Sequence, residues 1–145
     1  MRSAILTAAG LLGSFAISGC ATPVGPDGAA ANAYPKDYKA DILAMAAQYA
    51  DGSYRIKDAG ISEPMLKKLP QGERYVVCAR FNPAGKDGKY LGMKGGVGIF
   101  WFGKLDQVAE LPMDERGKPD SSNPCSDAVY RPFPEAERLA SSGHP

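Results

Sequence analysis

The chain has 145 residues, 23% charged and 44% hydrophobic, with 17 basic side chains against 16 acidic ones. That length suits one small domain and excludes a multidomain enzyme. No basic block stands out, so neither a nucleic-acid footprint nor a polybasic membrane patch is visible, and the single histidine, His144, leaves imidazole-centred catalysis without a centre.

Residues 1–19 carry Arg2 and then a mostly apolar run, Ala4 to Ile17, interrupted by Thr7, Gly10, Gly13 and Ser14. As a helix this run measures roughly 21 Å, short of the about 30 Å hydrocarbon core, and it reads as a secretory signal peptide that is removed. It ends in Ile17-Ser18-Gly19-Cys20, which resembles the lipobox of bacterial lipoproteins: a branched apolar residue, two small residues, then cysteine. The resemblance implies a diacylglyceryl group on the Cys20 thiol, cleavage just before it and acylation of the new amine. Several acyl chains, at about 0.8 kcal/mol per buried methylene, hold a small domain on a bilayer. Ala21 follows where many inner-membrane lipoproteins carry aspartate, so the resemblance favours the outer membrane, with the inner membrane as the alternative. Residues 20–36, with Pro23, Pro26, Pro35, Gly25 and Gly28, form a tether; as a flexible coil Ala21 to Lys36 reaches about 20 to 24 Å.

Lipidation of Cys20 leaves Cys78 and Cys125, which are expected to pair in an oxidising periplasm. Closing a loop of 47 positions contributes about 4 kcal/mol in the chain-entropy picture. There is no Cys-x-x-Cys, and no histidine lies near either thiol, so a redox or metal site is disfavoured and no cofactor is expected.

Residues 37–139 form the globular domain. Tyr38, Ile42, Met45, Ala46 and Tyr49 recur at helical spacing, predicting an amphipathic helix over Tyr38 to Asp51 with Asp37 as N-cap and Gly52 as stop. Tyr54 and Ile56 alternate with polar neighbours, and Ile61 to Leu69 continues extended, with Pro64 confining it to an edge or an end. Arg74 to Asn82 is the clearest strand, with Tyr75, Val77, Ala79 and Phe81 on one face and Val76, Cys78 and Arg80 on the other. Asn82 to Lys89 holds turn chemistry around Asp87-Gly88. Val97 to Leu105 is apolar on both faces and predicts a central strand that completes a hairpin. Leu111 to Pro134 contains Pro112, Pro119, Pro124, Pro132 and Pro134, which predicts an irregular strap. Pairing of Cys125 with Cys78 would staple it to the face opposite the helix. A helical turn over Pro134 to Leu139 and a frayed end over residues 140–145 complete the chain. The expected fold is α+β: one N-terminal amphipathic helix packed on a small antiparallel sheet, with a disulfide-stapled C-terminal strap.

Gly85 to Gly98 (GKDGKYLGMKGGVG) resembles a phosphate loop only in composition, because Tyr90 follows Gly88-Lys89 where Ser or Thr is needed. It reads as a hairpin loop. Asp114, Glu115, Asp120 and Asp127 read as solvated loop acids, Ser121 and Ser122 as turn residues, and Asp106 has no acidic repeat around it. Phe100, Trp101 and Phe102 are the candidate partner contact, since a strand cannot bury adjacent aromatics on one side and an incomplete strap leaves ring surface for a partner. The segments YPKDY, ISEP, RYVVCARFN, GKLDQ and PFPEAERL give the body a resemblance to small Gram-negative lipoproteins without assigned activity. The expected function is therefore non-enzymatic: a binding or structural module at the periplasmic side of the outer membrane, held to the bilayer by Cys20, with an envelope protein or glycan as partner. A periplasmic inhibitor of a cell-wall hydrolase is the alternative, since membrane-bound lysozyme inhibitors are also small disulfide-bearing lipoproteins; a small hydrolase ranks third.

Overall fold

A computed structural model describes residues 30–49 and 55–141 of the chain. The segment predicted to be a signal peptide, Cys20, Gly52 and Tyr54 lie outside the described residues. In chain order the elements are α1 (Tyr38–Tyr49), β1 (Ile56–Ser62), β2 (Met65–Leu69), β3 (Gly72–Pro83), β4 (Lys94–Trp101), β5 (Lys104–Leu111), β6 (Tyr130–Pro132) and α2 (Pro134–Ser141). They build one six-stranded antiparallel sheet, ordered β5-β4-β3-β1-β6, with β2 also paired to β3.

At 12 residues β3 is long enough to take two partners end to end along one side. Its first half pairs with β2 (Met65 with Val76) and its second half with β1 (Ile61 with Ala79). The break between them is Glu63-Pro64, where proline has no N–H for a ladder. Ser62 closes the gap: its hydroxyl accepts from the Cys78 N–H at 2.9 Å and donates to the Glu63 carbonyl at 2.9 Å. A serine 2% exposed therefore leaves no orphaned hydrogen-bonding group. Beside it the Tyr38 hydroxyl donates to Glu63 Oε2 at 3.0 Å.

Alternation along β3 separates two cores. Val77 faces Tyr38, Ile42, Phe100 and Phe133, while Val76 and Cys78 face Val97, Leu111 and Cys125. The first face is covered by α1 and α2 together, because Phe133 is buried just before α2 and Ala136 packs behind it. A single covering helix is thus corrected to a pair. In α1 the residues after Ile42 are half-buried or exposed as far as Met45, so the described part of this helix lacks the continuous apolar stripe that the spacing predicts. The second face carries the strap, joined by the Cys78–Cys125 disulfide with a Cα–Cα distance of 5.9 Å. Lys67 Nζ adds an exposed clip to Asp127 Oδ1 at 2.6 Å.

Three further expectations are corrected. Val97 to Leu105 is not one strand: Phe102 (φ 52°) and Gly103 (φ 76°) turn the chain between β4 and β5. Two successive positive φ values make the two-residue hairpin turn whose twist matches the flanking strands. The glycine-rich stretch is not all loop, because Gly95, Gly96 and Gly98 lie within β4. There they permit close approach, since a Cβ on Gly98 would stand 2.7 Å from Ile42 Cδ1 and 2.9 Å from Leu105 Cδ1. The strap ends in β6 antiparallel to β1, and α2 runs through Ser141, so residues 140 and 141 are helical and not part of a frayed end. The pairing is possible because β1 bulges between Lys57 and Gly60. The Ala59 N–H then donates to Glu137 Oε1 at 2.9 Å, and the Phe133 N–H donates to the Ala59 carbonyl at 2.9 Å.

Candidate functional site

The β4–β5 hairpin brings the sequence-predicted aromatics to one end of the sheet and separates their roles. Phe100 is 1% exposed and belongs to the helix-side core, so it is not an accessible contact. Trp101 is half-buried on the opposite face, beyond the strap. Its cover is Arg74, whose guanidinium carbon lies 3.4 Å from the indole centroid. Arg74 is 6% exposed and donates from Nη1 to the Glu73 carbonyl at 2.6 Å and from Nη2 to the Gln71 carbonyl at 3.0 Å. Stacking a weakly hydrated planar cation on indole covers the ring without an apolar partner. The expectation that the strap would cover this ring is corrected accordingly.

Phe102 occupies the turn itself, edge-on to Trp101 with centroids 5.1 Å apart. Its N–H donates to the Ala31 carbonyl at 3.2 Å, which ties the turn to the chain that leads into α1. Tyr34, 49% exposed, meets Tyr75 edge-on at 5.2 Å, so the same end presents Tyr34, Trp101 and Phe102. A phenylalanine with φ 52° stands where Asn or Gly is ordinarily found.

From this turn β5 runs back along the sheet as its edge strand. Asp106 to Glu110 are exposed, including Val108 at 42%. Leu105 pairs with Phe100 and Gln107 with Ile99, so Asp106 is an extra residue that bulges the strand. Between β5 and α1 lies an open groove of about 450 Å³, lined by Asp41, Met45, Leu105, Gln107 and Val108 among others. One carboxylate oxygen of Asp41, Oδ2, is buried there without a hydrogen-bond partner. This strand is not evident in the sequence: Asp106 reads as an isolated acid, and the alternation from Gln107 to Leu111 is weak because Ala109 carries little apolar weight. The Gly-x-Leu-Asp run gave no sign of an edge.

The remaining candidates resolve into structural roles. Asp114 Oδ1 accepts from the Arg116 and Lys118 backbone N–H groups at 2.9 and 2.8 Å. Asp120 Oδ1 accepts from the Ser122 N–H and hydroxyl, both at 2.8 Å, which hold its carboxyl below the usual range. Asp127 is likewise lowered, chiefly by its hydrogen bond to Lys67. These acids fix turns or clip the strap. Among the described residues no three His, Cys, Asp or Glu side chains are grouped to hold a metal ion, and no helix is long and apolar enough to cross a membrane. Tyr130 is half-buried; burial pushes its phenol up while Arg80, 4.6 Å from the ring centroid, pulls it down.

Comparison of the chain with protein-family models, with curated proteins and with solved structures finds no match.

Proposed function

We propose that this chain is a lipid-anchored protein of the bacterial cell envelope, acylated at Cys20 and held at the outer membrane facing the periplasm, that works as a non-enzymatic binding module. The contact surface in this reading is the β4–β5 hairpin: Trp101 and Phe102 at its tip and the exposed edge of β5 along its side. One observation carries the proposal, the conformation of Phe102. An apolar aromatic at positive φ costs roughly 1 to 2 kcal/mol relative to a residue suited to that region. Its ring is partly exposed and packs edge-on to Trp101 alone among the described aromatic pairs. A residue so placed is explained when its ring is used from outside.

The β5 edge suits an extended segment of another envelope protein, added as a strand with side chains reaching into the α1–β5 groove. A second copy suits it less, because two β5 strands laid antiparallel about Val108 set Asp106 against Glu110.

The test replaces Phe102 by Asn and places a photo-crosslinking residue at Gln107, with a control crosslinker at Lys68 on β2. The expected result is a discrete protein adduct from position 107 and none from 68, lost in Phe102→Asn while thermal stability rises. Equal adducts from both positions, or full adduct yield in a stabilised Phe102→Asn, overturn the docking assignment. Intact mass of the membrane fraction separately tests the anchor: loss of residues 1–19 plus acyl chains is expected, and Cys20→Ser should abolish both.

A further inference from the structure

Opposite the aromatic end, the β3–β4 loop and the start of β1 gather cations that are scattered in the sequence. Arg55, Lys57, Lys86, Lys89 and Lys94 are all exposed there, accompanied by the carboxylates Asp58 and Asp87. The adjoining strap turn, which packs Gly117 on Met93, adds Arg116 and Lys118 but balances them with Asp114 and Glu115. This end therefore carries an excess of positive charge in a chain whose overall formal charge is +1.

The loop is built rather than loose. The Ala84 N–H donates to the Arg55 carbonyl at 2.7 Å, Gly85 to Lys89 at 2.8 Å, and Leu91 to Pro83 at 2.9 Å. Asn82 Oδ1 accepts from the Gly92 N–H at 3.1 Å. Held outward by these bonds are Tyr90, 44% exposed, and Leu91, 58% exposed. The Lys57 ammonium sits 4.1 Å from the Tyr90 ring centroid.

We infer that this end docks on an anionic lipid surface. Charge complementarity selects phosphate-bearing headgroups, with about 1 kcal/mol from each cation near such a surface. Leu91 and Tyr90 distinguish a bilayer from a soluble polyanion: an exposed leucine on the flank of a cationic loop reaches the acyl boundary, a tyrosine lies at headgroup level, and lysines reach phosphate around them. The geometry also permits docking on the membrane that holds the anchor. From Cys20 to Ala30 the chain spans at most about 33 to 36 Å, whereas β4 separates the two ends of the sheet by roughly 23 Å. The inference deepens the proposed membrane association and rests on acylation only for local concentration.

The experiment uses full-length protein carrying Cys20→Ser, so that no acyl chain contributes, and measures co-sedimentation with phosphatidylcholine vesicles and with vesicles containing phosphatidylglycerol. Binding by the N-terminal segment, which carries Arg2 and the terminal amine, is common to the parent and every variant and sets the baseline for their comparison. Anionic vesicles are expected to bind on the order of a hundredfold tighter at low salt, an excess that high salt removes. Lys86→Glu with Lys89→Glu should remove most of the preference, and Leu91→Ser should weaken anionic binding about tenfold, each with unchanged thermal unfolding. No preference in the parent, a preference intact in the double variant, or indifference to Leu91→Ser overturns the inference. The acylation reading stands or falls separately on the intact mass of the wild-type chain.

Discussion

On one face of the sheet, Val77 and Phe100 are closed over by Tyr38, Ile42 and Phe133, side chains delivered by helices or their borders. On the other, Val76, Cys78 and Val97 lie beneath a proline-rich strap in which Cys125 is 0% exposed and Val129 is 77% exposed. The helix face is held by the area that its side chains bury, and so by packing. The strap offers few apolar side chains, and its hydrogen bonds are local turns that fold it on itself, so a covalent bond supplies what packing does not. Two faces of one strand thus depend on different physics, and each can be broken without directly touching the other.

The largest effect should come from Phe100→Ala, which empties the centre of the helix face. About 3 to 5 kcal/mol of stability should be lost in denaturant unfolding, with the disulfide still formed by non-reducing peptide mapping. If the loss is under about 1 kcal/mol, α1 and α2 do not form a packed cover. Removing the staple, by Cys78→Ala with Cys125→Ala, should cost roughly 2 to 5 kcal/mol. Hydrogen exchange should then rise first at residues 112–129 and later in α2; uniform loss of protection would falsify the independence of the two faces.

A smaller effect sharpens the contrast. Gly98→Val drives methyl groups into Ile42 and Leu105, which already stand within 3 Å of an added Cβ. Overpacking of about 1 to 3 kcal/mol is expected, with α1 as the element that loosens. The same substitution should leave exchange in the strap unchanged.

The weakest effects are pH effects, and they have opposite signs on the two faces. Burial, together with the hydrogen bond to Glu63, pushes the Tyr38 phenol up to about 12 from its ordinary 10.0. The folded chain then holds a proton that the unfolded chain releases, so this contribution is complete below pH 10.0 and is lost as pH rises through about 12. Absorbance titration should show one late phenolate, accompanied by loosening of α1. Asp127 behaves oppositely: its carboxyl is lowered from 3.8, so the Lys67 clip is present above that pH and is lost as pH falls through the lower folded value. At neutral pH, proteolysis should cut the strap sooner in Lys67→Ala than in the parent, and the difference should vanish in acid.

Much of this was legible locally. The Arg74 to Asn82 alternation places Val76 and Cys78 on one side and Tyr75 and Val77 on the other, because a strand's side-chain period of two is a property of the backbone. The prolines of Leu111 to Pro134 likewise rule out long helix from φ and the missing N–H alone. The Phe102-Gly103 turn was not legible, since phenylalanine is not a residue that asks for positive φ, and its conformation depends on Trp101, Ala31 and the pairing of β5. The bulge at Asp58-Ala59 was equally hidden, because it exists to meet Glu137 and Phe133 from the far end of the chain.

The sequence by itself determined which residues alternate and where proline interrupts, and the expected pairing of Cys78 with Cys125 agrees with the structure. Only the tertiary structure decided which surfaces exist. Phe100, Trp101 and Phe102 are neighbours in the chain, yet one is core, one lies under Arg74 and one is the turn, because exposure depends on what distant segments bring to each side chain. The cationic end shows the same in reverse: Arg55 and Lys57 from the start of β1, Lys86 and Lys89 from the loop, and Lys94 from β4 form no basic block in the sequence. They become one patch because antiparallel pairing returns the chain to the same end of the sheet, and electrostatic potential adds over space rather than over sequence.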